Sequence, residues 1–390
     1  MSDFRPVDRR PVNVAVVIDR SGSMADARKI DYARAALLTV IDELRSNDIF
    51  SLIMYDNEVD VLRPAKRVGS DKRYIRELVD QIYPRGSTNL GGGMIEGFHQ
   101  VGRNAAIDYV NRVILISDGL ANQGITDPRE LRRIAGNNIA KGISLTTMGV
   151  GLEYNENLMV GLSESGGGNY YFIESPNGLA GMLQRELNCL ASVIAQNAYI
   201  ELTLGRGVRV NDVIGCENRS EGSKHIIHLG DLYSNERREV TVELDIPEGT
   251  GSLIVASGTV KFERGEVRVG RIEPFSVTVQ YTRELALIDK KRDLDSQAKA
   301  DVALSTRTVE KAMKALDEGR REEAEQTLSE AKAVLQASPA AAMSGAGATA
   351  INEQAAKLEG YSDIMKDKSN DSRATKKSIQ YDNYKTQKKK

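Results

Sequence analysis

The spacing of apolar positions changes twice along this chain, and the two changes divide it into three parts. In the first part, short and nearly continuous apolar runs at Val12–Ile18, Ile49–Tyr55, Arg112–Ser117, Ile143–Val150 and Asn169–Ile173 read as strands buried on both faces. Segments with helical spacing separate or follow them: Lys29–Leu44, Asp71–Ile82, Leu90–Arg103, Pro128–Ala140 and Asn177–Leu190. Alternation of this kind predicts βαβ units, and so an α/β fold with a doubly wound, mostly parallel sheet. Glu58–Leu62 is expected to pair with the second strand as an antiparallel edge, turning at Asp56-Asn57. One helix start is marked by Asp127 as N-cap, Pro128 as first helical residue and Glu130 as third.

From Tyr199 to Gln280 the period falls to two. Tyr199–Leu204, His225–Leu229, Glu239–Leu244, Ser252–Phe262 and Glu266–Gln280 alternate apolar and polar residues between Gly-rich turns. That predicts an antiparallel β-sandwich over 193–282, which residues 1–9 would join as a further strand. From Arg283 onward the chain is rich in Ala, Glu, Lys, Arg and Leu. Arg283–Leu304, Thr308–Leu316 and Glu322–Gln336 read as helices, with Asp317–Arg320 as a turn. The last two resemble one helical hairpin of the tetratricopeptide type, and no second copy follows. The expected division is therefore a first domain over 10–192, the sandwich, a helical hairpin region over 283–337, a linker over 338–350 and a helix over 351–365. Beyond it, 366–390 holds nine basic residues against three acidic ones and is expected to be disordered.

Composition narrows the picture. At 390 residues there is room for two or three cores, and the formal charge of −2 makes no general demand for nucleic acid. No apolar run approaches the eighteen or so residues of a membrane span. The charged first residues lack the apolar core of a signal peptide, and the two cysteines, Cys189 and Cys216, do not make a disulfide framework. Two reduced thiols in a cytoplasmic protein are expected.

The chemistry gathers where predicted strands end. Val14-Ala15-Val16-Val17-Ile18 runs into Asp19-Arg20-Ser21-Gly22-Ser23, and Val113-Ile114-Leu115-Ile116 runs into Ser117-Asp118-Gly119. Between them Thr88 lies in the Gly-rich turn Arg85–Gly93, ahead of a helix. Ligands of open α/β sheets bind past the carboxyl ends of the strands, and hydroxyl and carboxylate oxygens suit Mg²⁺, with Ca²⁺ or Mn²⁺ as alternatives. The bland alternative is that Ser21, Ser23 and Thr88 cap helices.

These residues resemble the metal-ion-dependent adhesion site of von Willebrand factor A domains. That pattern has Asp-x-Ser-x-Ser after the first strand, a Thr in the second loop and an Asp in the third. Asp19, Ser21, Ser23, Thr88 and Asp118 match it in order. The segment looks like those of inter-α-trypsin-inhibitor heavy chains and of the so-called calcium-activated chloride channel family. The three-part order is similar to that of prokaryotic von Willebrand factor A proteins. The resemblance implies a non-enzymatic adaptor that binds an Asp or Glu of a partner protein through the metal. It allows an AAA+ ATPase or a signalling protein as that partner. A scaffold acting through its helices, with a structural metal, and a metal-dependent hydrolase are the rival readings. Asp26, Asp31 and Glu96 lie near enough to the loops in sequence to support the site.

Other candidates carry less. His225 and His228 are three apart in a predicted strand and so point to opposite faces. His99 has no companion Cys or His, and Gly91-Gly92-Gly93 lacks the Gly-Lys-Ser/Thr ending of a phosphate loop. Gly166-Gly167-Gly168 precedes a strand and reads as a turn.

Overall fold

The structure, a computed structural model, describes residues 10–106, 108–264, 267–342, 344–366 and 372–388. The first part of the chain forms β1 (Val12–Asp19), α1 (Lys29–Glu43), β2 (Ile49–Tyr55), β3 (Val59–Arg67), α2 (Lys72–Val79), α3 (Leu90–Gly102) and β4 (Val110–Ser117). It continues with α4 (Pro128–Ile139), β5 (Ile143–Val150), α5 (Glu156–Ser165), β6 (Gly167–Ile173) and α6 (Leu179–Ala191). Their six-stranded sheet has the order β3-β2-β1-β4-β5-β6 and is parallel except where β3 pairs antiparallel with β2. The order in which strands are added reverses between β1 and β4, whose residues are all buried. The register sets Asp19 level with Tyr55 on β2 and Ile18 level with Ile116 on β4, so Asp19 and Ser117-Asp118 leave the sheet at the same edge.

One local expectation meets its residues. Asp127 accepts the Arg129 N–H at 3.0 Å ahead of Pro128, although Glu130 turns instead to Arg133. Helix α5 has no counterpart in the pattern analysis. Asn155 caps it through Leu158 N–H at 3.0 Å, and Leu158, Met159 and Leu162 are buried, but flanking glycines hide that period in the sequence.

The rest forms β7 (Val193–Leu204), β8 (Arg209–Ile214), β9 (Asn218–Glu221), β10 (Lys224–Tyr233), β11 (Thr241–Asp245), β12 (Ser252–Arg264), β13 (Val267–Arg271) and β14 (Phe275–Gln280). Strands β13-β12-β7-β10-β9 make a separate antiparallel sheet with β14 on β12, and β8 pairs with β11. Helices α7 (Leu285–Lys291), α8 (Leu294–Asp317), α9 (Arg321–Ala337), α10 (Ala346–Lys366) and α11 (Ser372–Lys388) follow. The strand expected from residues 1–9 lies outside the described residues.

Two compact units result. One holds the described residues of Met1–Ile200, His228–Glu236 and Thr259–Glu273; the other holds Glu201–Ile227, Arg237–Gly258 and Pro274–Lys390. In the second, Val309, Met313, Leu328, Leu335, Ile351 and Leu358 share one core. Helix α8 runs unbroken through the expected gap, and the buried Ser305 and Thr306 satisfy their hydroxyls on the Val302 and Ala303 carbonyls. The 338–350 segment, expected as a linker, holds a short 3₁₀ turn at Pro339–Ala342 and the start of α10. The basic end, expected to be disordered, is helical over Ser372–Lys388. It buries Ile379, Asn383 and Tyr384, and Lys376 pairs with Asp317, so neighbouring acids and an apolar stripe offset its charge. No helix of the described residues is long and apolar enough to cross a membrane.

Candidate metal centre

Asp19 ends β1, and its carboxylate is fully buried. Its Oδ1 accepts the Ser21 N–H at 2.8 Å, a bond that bends the chain sharply out of the sheet. Its Oδ2 accepts the Ser117 hydroxyl at 2.7 Å and, more weakly, the Tyr55 hydroxyl at 3.4 Å. Burial, and then the nearby Asp118 charge, raise the Asp19 carboxyl to about 6. The Tyr55 ring reaches this position because Gly93 lies against it; a Cβ there would come within 2.6 Å of Tyr55 Cδ1.

The hydroxyls converge from two loops. Ser21 Oγ and Ser23 Oγ are 3.1 Å apart, and Ser23 Oγ donates to Asp118 Oδ1 at 2.8 Å. Thr88 is held by Asn122, whose Oδ1 accepts the Thr88 N–H at 2.9 Å and whose N–H donates to the Thr88 carbonyl at 3.1 Å. A Cβ at Gly119 would lie 3.2 Å from Thr88 Oγ1 and 3.7 Å from Ser23 Oγ, which sets both hydroxyls beside the third loop. The structure thus brings all five sequence-predicted residues together at the switch point of the sheet.

None of the three hydroxyls is engaged in a helix cap. Ser21 makes no side-chain cap bond, the cap of α3 is Asn89 and the cap position of α1 is Arg28. The supporting roles suggested for Asp31 and Glu96 are not realised, since Asp31 pairs with Arg28 and Glu96 bonds His99 and Gln100. Asp26 is exposed.

Several contributors escaped the sequence pattern. Arg20, 1% exposed, donates through Nε to Asp56 Oδ2 at 2.7 Å, and Arg85 Nε donates to the same oxygen at 2.6 Å. Burial pushes the Asp56 carboxyl up, but the Glu58 N–H and these two guanidiniums outweigh it and hold it below the usual carboxylate range. Backbone bonds from Arg85 N–H to Arg20 O (2.7 Å) and from Gly22 N–H to Gly86 O (3.0 Å) complete a stitch between the first and second loops. Lys29, the first residue of α1, donates to Asp118 Oδ2 at 2.7 Å. An Arg beside Asp-x-Ser is legible only as a charge; its carboxylate, 36 residues away, is not.

Among the described residues there is no group of three or more His, Cys, Asp or Glu side chains placed to hold a metal ion. His225 gives its ring nitrogens to Ser220 and Asn218. The donors at the sheet edge are two carboxylates and three hydroxyls, a hard set that fits a divalent ion of the Mg²⁺ kind. A cation, the Lys29 ammonium, already sits on one of the carboxylates.

Residues 13–185 match the sequence family described as von Willebrand factor type A domain. This segment is a von Willebrand factor type A domain. The chain is 27% identical over 240 residues to the uncharacterized protein YfbK of Escherichia coli, across 60% of this chain and 42% of that protein. It is 29% identical over 161 residues to inter-alpha-trypsin inhibitor heavy chain H3 of Rattus norvegicus, across 39% of this chain and 18% of that one. The chain therefore spans less than half the length of these two relatives. The von Willebrand factor type A structure from Catenulispora acidiphila superposes with a TM-score of 0.75 over 97% of this chain and 90% of that one, at 15% identity. The whole fold, beyond the type A domain, thus recurs in a solved structure.

Proposed function

We propose that this chain is a non-enzymatic, cytoplasmic adaptor whose type A domain binds an acidic side chain of a partner protein through a divalent ion, with Mg²⁺ the best fit. One observation carries the reading: three uncapping hydroxyls, Ser21, Ser23 and Thr88, gathered with Asp19 and Asp118 at the carboxyl ends of the central strands. The five residues would hold the ion. With three of its five holders neutral hydroxyls, it would remain an electrophile able to take a carboxylate as a further ligand. Asp19 is kept rigid by Ser21 and Ser117, and Asp118 by Ser23 and Lys29, so the partner would meet a preorganised surface. Lys29 and Tyr55, the titratable side chains hydrogen bonded to these carboxylates, act as their holders, which favours binding over catalysis.

The test is capture from native extract by the full chain in Mg²⁺, in EDTA and with Asp19→Ala. The expected outcome is a partner retained only by the wild type in Mg²⁺, with modest sensitivity to salt because a metal-bridged carboxylate is partly desolvated. Equal retention in all three arms refutes the proposal.

A further inference from the structure

Lys29 reaches the site against several local preferences. The chain before it passes through an extended Asp26 (φ −66°, ψ 141°) and then two consecutive left-handed residues that are not glycine, Ala27 (φ 50°, ψ 23°) and Arg28 (φ 58°, ψ 31°). Side chains other than glycine and asparagine rarely adopt that conformation, and such strain persists where the surroundings demand it. Lys29 then opens α1, where a cation opposes the helix dipole. Its residue is only 7% exposed, so an ammonium has been taken out of water. Gly151, with φ +75°, gives way to the stem: a Cβ there would lie 3.3 Å from Lys29 Cε. The result of this local frustration is a single placement. Nζ lies 2.7 Å from Asp118 Oδ2 and 3.5 Å from the Ser23 carbonyl, while Asp118 Oδ1 takes the Ser23 hydroxyl.

We propose that Lys29 is a resident cation of the metal centre. It holds the second oxygen of Asp118 whether or not an ion is present, weakens the centre's affinity for divalent ions, and makes the loaded centre net positive. Asp19 and Asp118 alone would leave a divalent ion electrically neutral. With Lys29 one positive charge remains, and a single carboxylate from a partner cancels it. The centre thereby discriminates against neutral oxygen ligands and in favour of Asp or Glu. This inference rests on the proposal that the five residues bind a divalent ion.

The experiment is calorimetric titration of Mg²⁺, and separately Mn²⁺, into the EDTA-stripped full chain as wild type, Lys29→Arg and Lys29→Met. Two cations sharing one buried carboxylate repel strongly at the effective dielectric of such sites, so Lys29→Met is expected to bind Mg²⁺ at least about tenfold tighter than wild type. Lys29→Arg, which keeps the charge, should stay within about threefold of wild type. Equal affinity in all three forms, or weaker binding by Lys29→Met, overturns the role of Lys29 and leaves the metal reading standing. No binding by any form overturns the metal reading and this inference with it. Should Lys29→Met not fold, Lys29→Gln is compared with wild type by melting temperature in EDTA and in Mg²⁺. A larger Mg²⁺-induced rise in the variant supports the inference, and an equal or smaller rise overturns it.

Discussion

Glu186 on α6 offers a sharp test of how the type A domain is held together away from its proposed metal centre. Its carboxylate is completely buried. Oε1 accepts from Arg112 Nη1 at 3.1 Å and from the Thr146 hydroxyl at 2.6 Å; Oε2 accepts from Asn169 Nδ2 at 2.7 Å and from the Tyr171 hydroxyl at 2.9 Å. Burial alone would raise this carboxyl, but the Arg112 charge and the bonds from Asn169, Thr146 and Tyr171 outweigh it and hold it below the ordinary range. Glu186→Gln keeps the shape and makes no cavity. Its amide, however, must turn one NH₂ group toward donors, and it removes the charge facing Arg112. Hydroxyls can rotate away; Asn169 Nδ2 or Arg112 Nη1 cannot. Removing one partner of a buried pair costs about 3–5 kcal/mol. The lower end, about 3 kcal/mol, is expected because Asp231 still faces Arg112 Nη2 at 2.7 Å. The assay is urea unfolding in EDTA at pH 7, followed by tyrosine fluorescence, since the chain has 14 Tyr and no Trp. Hydrogen exchange in peptides from β4 to β6 assigns the loss to this domain. Arg112 is the third residue of β4 whereas Ser117 is its last, so Mg²⁺ affinity of the folded fraction should be unchanged. A loss below about 1 kcal/mol, or one confined to peptides of the C-terminal helices, would refute the reasoning.

Two further outcomes follow from the same geometry. In the metal-free protein the Asp19 carboxyl lies at about 6, above its ordinary value, so its contribution to stability is present in full below about pH 4 and is lost as pH rises through 6. A displacement of about two pH units is worth about 3 kcal/mol. Urea midpoints of wild type in EDTA, relative to Asp19→Asn, should fall between pH 4.5 and 7.5, and parallel curves would contradict the burial argument. Gly93→Ala drives a methyl against the buried Tyr55 ring, 2.6 Å from Cδ1, and should lower stability by about 1–3 kcal/mol in thermal unfolding; a change under about 0.5 kcal/mol would mean the ring moves freely.

What the sequence made legible follows from where information is local. The central strands are buried on both faces, so their apolar runs are continuous, and each leads into an aspartate of the proposed site: Asp19 closes β1 and Asp118 follows β4. Order along the chain then places five donors at one edge once the sheet is parallel. The holders of those donors were not legible, because each acts across a long separation. Lys29 meets Asp118 89 residues away and Ser117 meets Asp19 98 residues away. Helix α11 was misread for the converse reason. Its composition describes an unpaired basic tail, while its stability depends on Asp317 and on Asn383 donating to the Thr306 carbonyl at 3.0 Å.

The departures from local preference are concentrated. Away from the proposed metal centre, polar side chains do the ordinary work of stability: Asp127 and Asn155 cap helices, and Glu186 has all its bonds made. At the centre, Ser21, Ser23 and Thr88 cap nothing, Asp19 is buried with a raised pKa, and Ala27 and Arg28 hold left-handed backbone to deliver a buried lysine. The buried Asp19 charge and the left-handed Ala27 and Arg28 carry a cost in stability, and a divalent ion would relieve the first by satisfying the Asp19 charge. Asp19→Asn should therefore stabilise the metal-free protein at pH 7.5 by up to about 3 kcal/mol while abolishing the Mg²⁺-induced rise in melting temperature. A domain in which these residues served packing alone would instead lose stability on the same substitution.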